Sequence, residues 1–281
     1  MNTTLASSHI NDTPVTRKPL VTRTRQSDLG AVPAAIRSEW IKFRSLRSNR
    51  ALAALVVLAG VLMSWILATF VKTDPYDNKP FTVAGSFMVS SWLTMVLVII
   101  AGVLLFTSEV QFGTIANTIA AQPARWVSVA AKATVAAAFG LVTGIAGLVA
   151  GFGSAMASGM QMGSTAGLPV TAAWCLVLTT LAGVVGIGVG MIIRHSAAAV
   201  SATLVWAFVI ENLIRNMAPA RISRFLPFSA ANGLLTIRSA GDTTATIAAR
   251  LSRPQDAMLF AAYTVVALTI GTVLLYRRDA H

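Results

Sequence analysis

Few side chains in this sequence have both the type and the spacing to make or break a bond. His9, His195 and His281 are scattered and share no ligand spacing with one another or with a carboxylate. Cys175 is the single cysteine and sits in an apolar run, so the sequence offers no disulfide and no cysteine metal site. Gly186-Ile187-Gly188-Val189-Gly190 lacks the spacing of a dinucleotide loop and follows no strand, and no GxxxxGK[ST] occurs. What stands out is a polar passage that opens at Glu109 and closes at Lys132, with Gly113-Thr114, Thr118, Gln122-Pro123 and Arg125 between them. Its chemistry is electrostatic and mechanical. Gly113 frees the backbone to end one helix, and the Thr114 oxygen can accept an orphan N–H of the next. Residues 115–121, from Ile115 to Ala121, suit about two helical turns. Pro123 forbids continuation without a break. The spacing predicts a small helix at a membrane surface, placed to receive a push from a soluble partner.

The elements that would hold this passage follow from composition. The chain has 281 residues, of which 55% are hydrophobic and 11% charged. Its mean hydropathy is +0.70. Soluble domains carry roughly 25% charged residues, so the bilayer is the solvent for much of this chain. Crossing a bilayer takes about 20 apolar residues. Six stretches meet that need, at about 51–71, 85–106, 133–153, 169–193, 196–213 and 257–276. The expected fold is an all-α integral membrane protein, with one transmembrane domain over 34–281.

Lys and Arg crowd the side that holds both termini in this arrangement, so both termini are expected in the cytoplasm. Segments 72–84, 154–168 and 215–256 are then outside. The net charge of +12 reads as topology and not as nucleic-acid binding, since no basic soluble domain with interleaved aromatics is present.

The N-terminal arm has two parts. Residues 1–33 are rich in Thr, Ser and Arg, lack the apolar core of a signal peptide, and are expected to be a disordered cytoplasmic arm. Over 34–49, Ile36, Trp40 and Phe43 recur at helical spacing among Arg37, Lys42, Arg44 and Arg47. That pattern predicts a basic amphipathic helix with its rings in the acyl boundary and its cations near lipid phosphates. It serves either as a plain anchor or as an elbow that also touches a cytoplasmic partner.

Two spans carry rows of small residues: Gly140, Gly144, Gly147 and Gly151 in the third, and Ala182, Gly186 and Gly190 with Gly183 and Gly188 in the fourth. Such rows let backbones approach closely, as tight packing within a subunit or as a sliding surface. The segment 215–256 is too apolar for a solvated loop, with Ile222, Phe225, Leu226, Phe228, Leu234 and Leu235, and Pro227 and Gly233 divide it. A re-entrant or interfacial hairpin of short helices fits, one of them capped by Asp242. Glu211 closes the fifth span with Arg215 one turn on. An i,i+4 ion pair is the plain reading, and an intramembrane carboxylate is also a functional candidate.

The order of these parts resembles the permease subunits of type 2 ABC exporters, of the actinobacterial kind related to drug and antibiotic exporters. The likeness covers about residues 35–278. It rests most on the passage Glu109-x3-Gly-Thr-x8-Pro-x-Arg-x6-Lys, which is similar to the family's coupling helix between spans two and three. The resemblance implies a permease without an ATPase of its own, paired with a second permease subunit, identical or related. Each copy is seated on an ABC ATPase subunit that holds ATP and Mg. It implies that Glu109, Gly113, Thr114, Pro123, Arg125 and Lys132 frame the coupling helix, while Ile115 and Thr118 sit in the ATPase groove. Glu211, Arg215, Pro227 and Phe228 would set the outer gate region between spans five and six. Ile36, Trp40 and Phe43 would form the elbow over the same ATPase. The chain would bind no cofactor itself, reside in the cytoplasmic membrane, and export a hydrophobic drug, a peptide antibiotic or a lipid.

Two other classes compete. An ion-coupled secondary transporter wants midplane ionisable groups and interrupted helices in matching halves. Only Glu211 and Lys132 are candidates, both near span ends, and no inverted repeat is visible. A membrane-embedded enzyme needs paired polar residues at one depth, and the spans hold no Ser/His, Asp/Asp or His cluster.

Overall fold

A computed structural model describes residues 28–45, 47–71, 82–114, 124–162, 167–236 and 250–278. The expected coupling helix with Ile115, Thr118 and Pro123, the Asp242 cap, and the arm before Asp28 lie outside these residues. The described chain is helical: α1 (Asp28–Ser45), α2 (Arg47–Phe70), α3 (Val83–Gln111), α4 (Arg125–Ala157), α5 (Leu168–Ile193), α6 (Ser196–Met217), α7 (Ala220–Ser223), α8 (Pro227–Leu235) and α9 (Arg253–Arg278). Six of them, α2 to α6 and α9, are long and apolar enough to cross a membrane. This is a multi-pass membrane protein.

The spans fall where uncharged runs of sufficient length predict them. Their ends differ, because a helix continues past its apolar part while its backbone can still be bonded. Thus α4 starts at Arg125, two turns before the expected 133. The amphipathic helix starts at Asp28, not 34, and stops at Ser45, so Arg47 and Arg50 begin the first span instead. Residues 28–33 are therefore helical and leave the expected disordered arm.

The core is built on α3 and α5. Helix α3 is buried on most sides, with Met95, Val98, Ile99, Val103 and Phe106 almost fully enclosed. Helix α5 packs against α3, α4 and α9. Lipid tails are as apolar as leucine, so close backbone approach and hydrogen bonds supply the association. The glycine rows do this work. A Cβ on Gly102 would lie 2.3 Å from the Gly183 carbonyl oxygen, and one on Gly186 would lie 2.2 Å from that of Ile99. Likewise Gly183 faces Ala136 of α4, and Gly188 faces Ala267 of α9. The rows seat helices of one subunit against each other. Between spans, Ser64 Oγ donates to the Gly151 carbonyl at 3.0 Å, and Ser86 Oγ to Ser64 Oγ at 2.9 Å.

A Gly186→Leu substitution must therefore drive α3 and α5 apart. Overpacking of a core costs about 1–3 kcal/mol, and a backbone obstacle puts this site at the upper end. The expected outcome is a lower melting temperature of the detergent-purified chain, while Gly153→Leu, whose Cβ meets nothing within 4 Å, leaves it unchanged.

Tight chain reversals fix the remaining helices. Arg194 ends α5 with φ +61°, and His195 caps α6 by accepting the Ala198 N–H on Nδ1 at 3.3 Å. Helix α6 contains a π-helical turn at Trp206–Ile210, just before Glu211. Helix α8 sinks Phe228, Ala231, Leu234 and Leu235 into the main core cluster.

Candidate functional site

Helix α3 ends at the start of the polar passage by a bonded turn. Gly113 takes φ +68°, the left-handed conformation glycine reaches without strain. The Gly113 N–H donates to the Val110 carbonyl at 3.2 Å and the Thr114 N–H to that of Glu109 at 3.0 Å. The Thr114 hydroxyl reaches the same Glu109 carbonyl at 3.4 Å. Gly113 breaks the helix as its type predicts, and Thr114 closes the helix behind it.

One turn before this end, Glu109 meets Lys132 from the second turn of α4. Lys132 Nζ donates to Glu109 Oε1 at 2.5 Å and to Glu39 Oε2 of α1 at 2.8 Å. Lys42 Nζ adds Glu39 Oε1 at 3.0 Å and lies 3.6 Å from Glu109 Oε1. Two carboxylates and two ammonium groups thus neutralise each other across three helices. Lys132 is 3% exposed and Glu39 5%. Charges so enclosed persist only when paired and hydrogen-bonded. Burial pulls the Lys42 ammonium towards a lower pKa, but its hydrogen bond to Glu39 and the charge of Glu109 outweigh that and raise it.

Glu39 is the member that the motif reading did not single out. The signal was present: it is an acid on the apolar stripe of a basic helix, between Ile36 and Phe43. Two members of that stripe, Ile36 and Phe43, face protein. They pack on the cluster of Phe106, Val135 and Ile187, and the Phe43 ring stands 4.9 Å from that of Phe139. Trp40 and Ile41 stay exposed.

At the other edge of the passage, Arg125 begins α4. Its Nη1 donates to the carbonyls of Leu275 and Tyr276 at 3.1 and 3.3 Å, orphan acceptors in the last turn of α9. The Tyr276 hydroxyl in turn accepts the Trp126 N–H at 3.1 Å. The passage is therefore tied at Glu109, Arg125 and Lys132 to α1, α4 and α9 together.

The second group of predicted residues lies at the opposite end of α3, about 30 Å away at 1.5 Å per residue. Glu211 is 2% exposed. Its carboxylate does not pair with Arg215. It accepts the Phe228 N–H at 3.0 Å and that of Ser229 through its other oxygen. Pro227 has no N–H, so these are the first free donors of α8, and Glu211 caps that helix from another element. Arg215 instead binds Asn212 Oδ1 at 2.5 Å. Sequence spacing favoured the nearer charge; the unmet backbone donors won. Glu211, Pro227 and Phe228 are thus one unit, with Arg215 at its rim.

Among the described residues no group of His, Cys, Asp and Glu is placed to hold a metal ion. No protein-family model matches this chain, and no curated protein matches it.

Proposed function

We propose that this chain is the permease subunit of an ABC exporter, coupled to a separate ATPase subunit and carrying a hydrophobic drug, peptide antibiotic or lipid across the cytoplasmic membrane. The observation that carries the reading is Lys132, which holds Glu109 at the entry of the polar passage and Glu39 of α1 with one ammonium. A segment that transmits force must be stiffly joined to the spans it moves. Here both edges of the passage are fixed by charge-assisted bonds, and α1, the elbow, shares them. A push on residues 115–121 would move α3, α4 and α1 as one body.

Two copies would meet along α2 and α6. These spans are the least enclosed within the subunit, together with α9. They present Leu58, Trp65 and Ile66 on one and Trp206, Phe208, Val209 and Leu213 on the other. The short helices α7 and α8 would form the outer gate, with Glu211 holding α8 in place. Both chain ends would be cytoplasmic, as the Lys/Arg distribution favours.

The test is an Ile115→Glu variant co-expressed with the ATPase that co-purifies with the parent chain. Membrane insertion should be unchanged, and ATP-dependent transport into inverted vesicles should fall to background. Full transport by this variant would refute the assignment of the passage.

A further inference from the structure

At the end of the bundle remote from Lys132, two cavities meet. The first, of about 280 Å³, lies between α3, α6 and α8 and is walled by Met88, Val89, Trp92 and Phe228. The second, of about 330 Å³, lies over α8 and is lined by Arg215, Arg224 and Arg250, with Ser229 and Asp256. Arg215 and Asn232 line both. One cleft thus has an apolar and a basic compartment. Among the described residues that line the basic part, three guanidinium groups face one carboxylate. Glu211, a second acid in the described cleft, is committed to the N–H groups of α8. Arg224 Nε and Ser229 Oγ are buried with no hydrogen-bond partner among the described residues. Buried donors left unmet are costly, and a ligand oxygen would satisfy them.

Depth decides what the ligand is. Arg215 is near the end of the span α6, Arg250 precedes the span α9, and Arg224 lies between them after α7, so the cations gather at the ends of spans. Trp92 lies about 14 Å down α3 from Val83. Guanidinium forks above an apolar slot match an anionic head above a hydrocarbon body. We propose that this cleft binds an anionic amphiphile, its phosphate or carboxylate held by Arg215 and Arg224 and its chain lying against Met88, Val89 and Trp92. The site needs no ATPase partner, so its failure would leave the coupling proposal standing, and the reverse holds too.

The full chain, reconstituted in phosphatidylcholine vesicles, is titrated with phosphatidate bearing brominated chains, and tryptophan quenching is read. Brominated phosphatidylcholine and added inorganic phosphate are the comparison arms. The expected result is a saturable component that Trp92→Phe removes. Phosphatidate should produce it at about tenfold lower mole fraction than phosphatidylcholine. Arg215→Gln with Arg224→Gln should erase that preference, and inorganic phosphate should not displace the lipid. Val89→Phe, which fills the apolar slot and keeps both arginines, should also abolish the component, and decides the matter should the arginine variant fail to fold. Equal quenching by both lipids, or an unaltered preference in the variants, would overturn the proposal. Displacement by inorganic phosphate would assign the site to a free anion and overturn it as well.

Discussion

A Lys132→Met chain is expected to insert, to lose the attachment of α1, and to transport at background level. The parent network is neutral. Removing Lys132 leaves Glu39 and Glu109 with Lys42 alone, and Lys42 lies 3.6 Å from Glu109. Breaking a buried pair from one side costs about 3–5 kcal/mol, because the surviving charge is stranded. Most of that should appear locally, as faster amide exchange across Ile36–Phe43 and at Gly113–Thr114. Restoring neutrality separates charge from mere loss of contact. Lys132→Met with Glu39→Gln leaves Lys42 against Glu109, and should recover about 1–3 kcal/mol relative to the sum of the single changes. Additive behaviour would mean that Lys132 and Glu39 do not act as a pair.

The next largest effect is expected at Glu211. Glu211→Ala strips two buried N–H groups of their acceptor at the start of α8, each bond to a charged group being worth about 1.5–3 kcal/mol. Glu211→Gln keeps one oxygen of the same shape and should cost about half as much. Because α8 seats Phe228 and Leu234 in the core cluster, its release should be cooperative. Amide exchange at Phe228 and Ser229 should rise about tenfold in the Gln variant and about a hundredfold or more in the Ala variant. Substituting Arg215 should leave these amides unchanged, since it makes no bond to Glu211. Equal protection in parent and Ala chains would show that the carboxylate does not cap the helix.

The spans were legible because length and lack of charge dictate a membrane helix. The glycine rows were legible because nothing else lets Gly183 and Gly186 come so near a foreign backbone, while Gly102, which Gly183 meets from the second span, stood outside them. Glu109 and Lys132 were legible as the rims of the passage, though not as each other's partners. Other features depend on contacts across long stretches of sequence. Arg125 meets α9 carbonyls 150 residues away, a pairing no local pattern encodes. Glu39 was obscured by the aromatic and basic residues around it, which drew the reading towards a lipid interface. Spacing sets Glu211 against its neighbour four residues on, because the N–H groups it accepts lie 17 and 18 residues away, beyond any local pattern. Helix ends moved for a plain reason: charge marks where lipid stops, while the backbone ladder runs on to the next residue that breaks it.

The claim that force reaches this chain from a partner ATPase has one direct test. The tagged chain is drawn from its own membranes in mild detergent, and the complex is weighed by native mass measurement and assayed for ATP hydrolysis. The account predicts two permease subunits, of which this chain is at least one, with two subunits bearing a GxxxxGK[ST] loop. Hydrolysis should be present in that complex and absent from the isolated chain. A chain that transports by itself, as a monomer and with no ATPase attached, would contradict the account and favour an ion-coupled transporter.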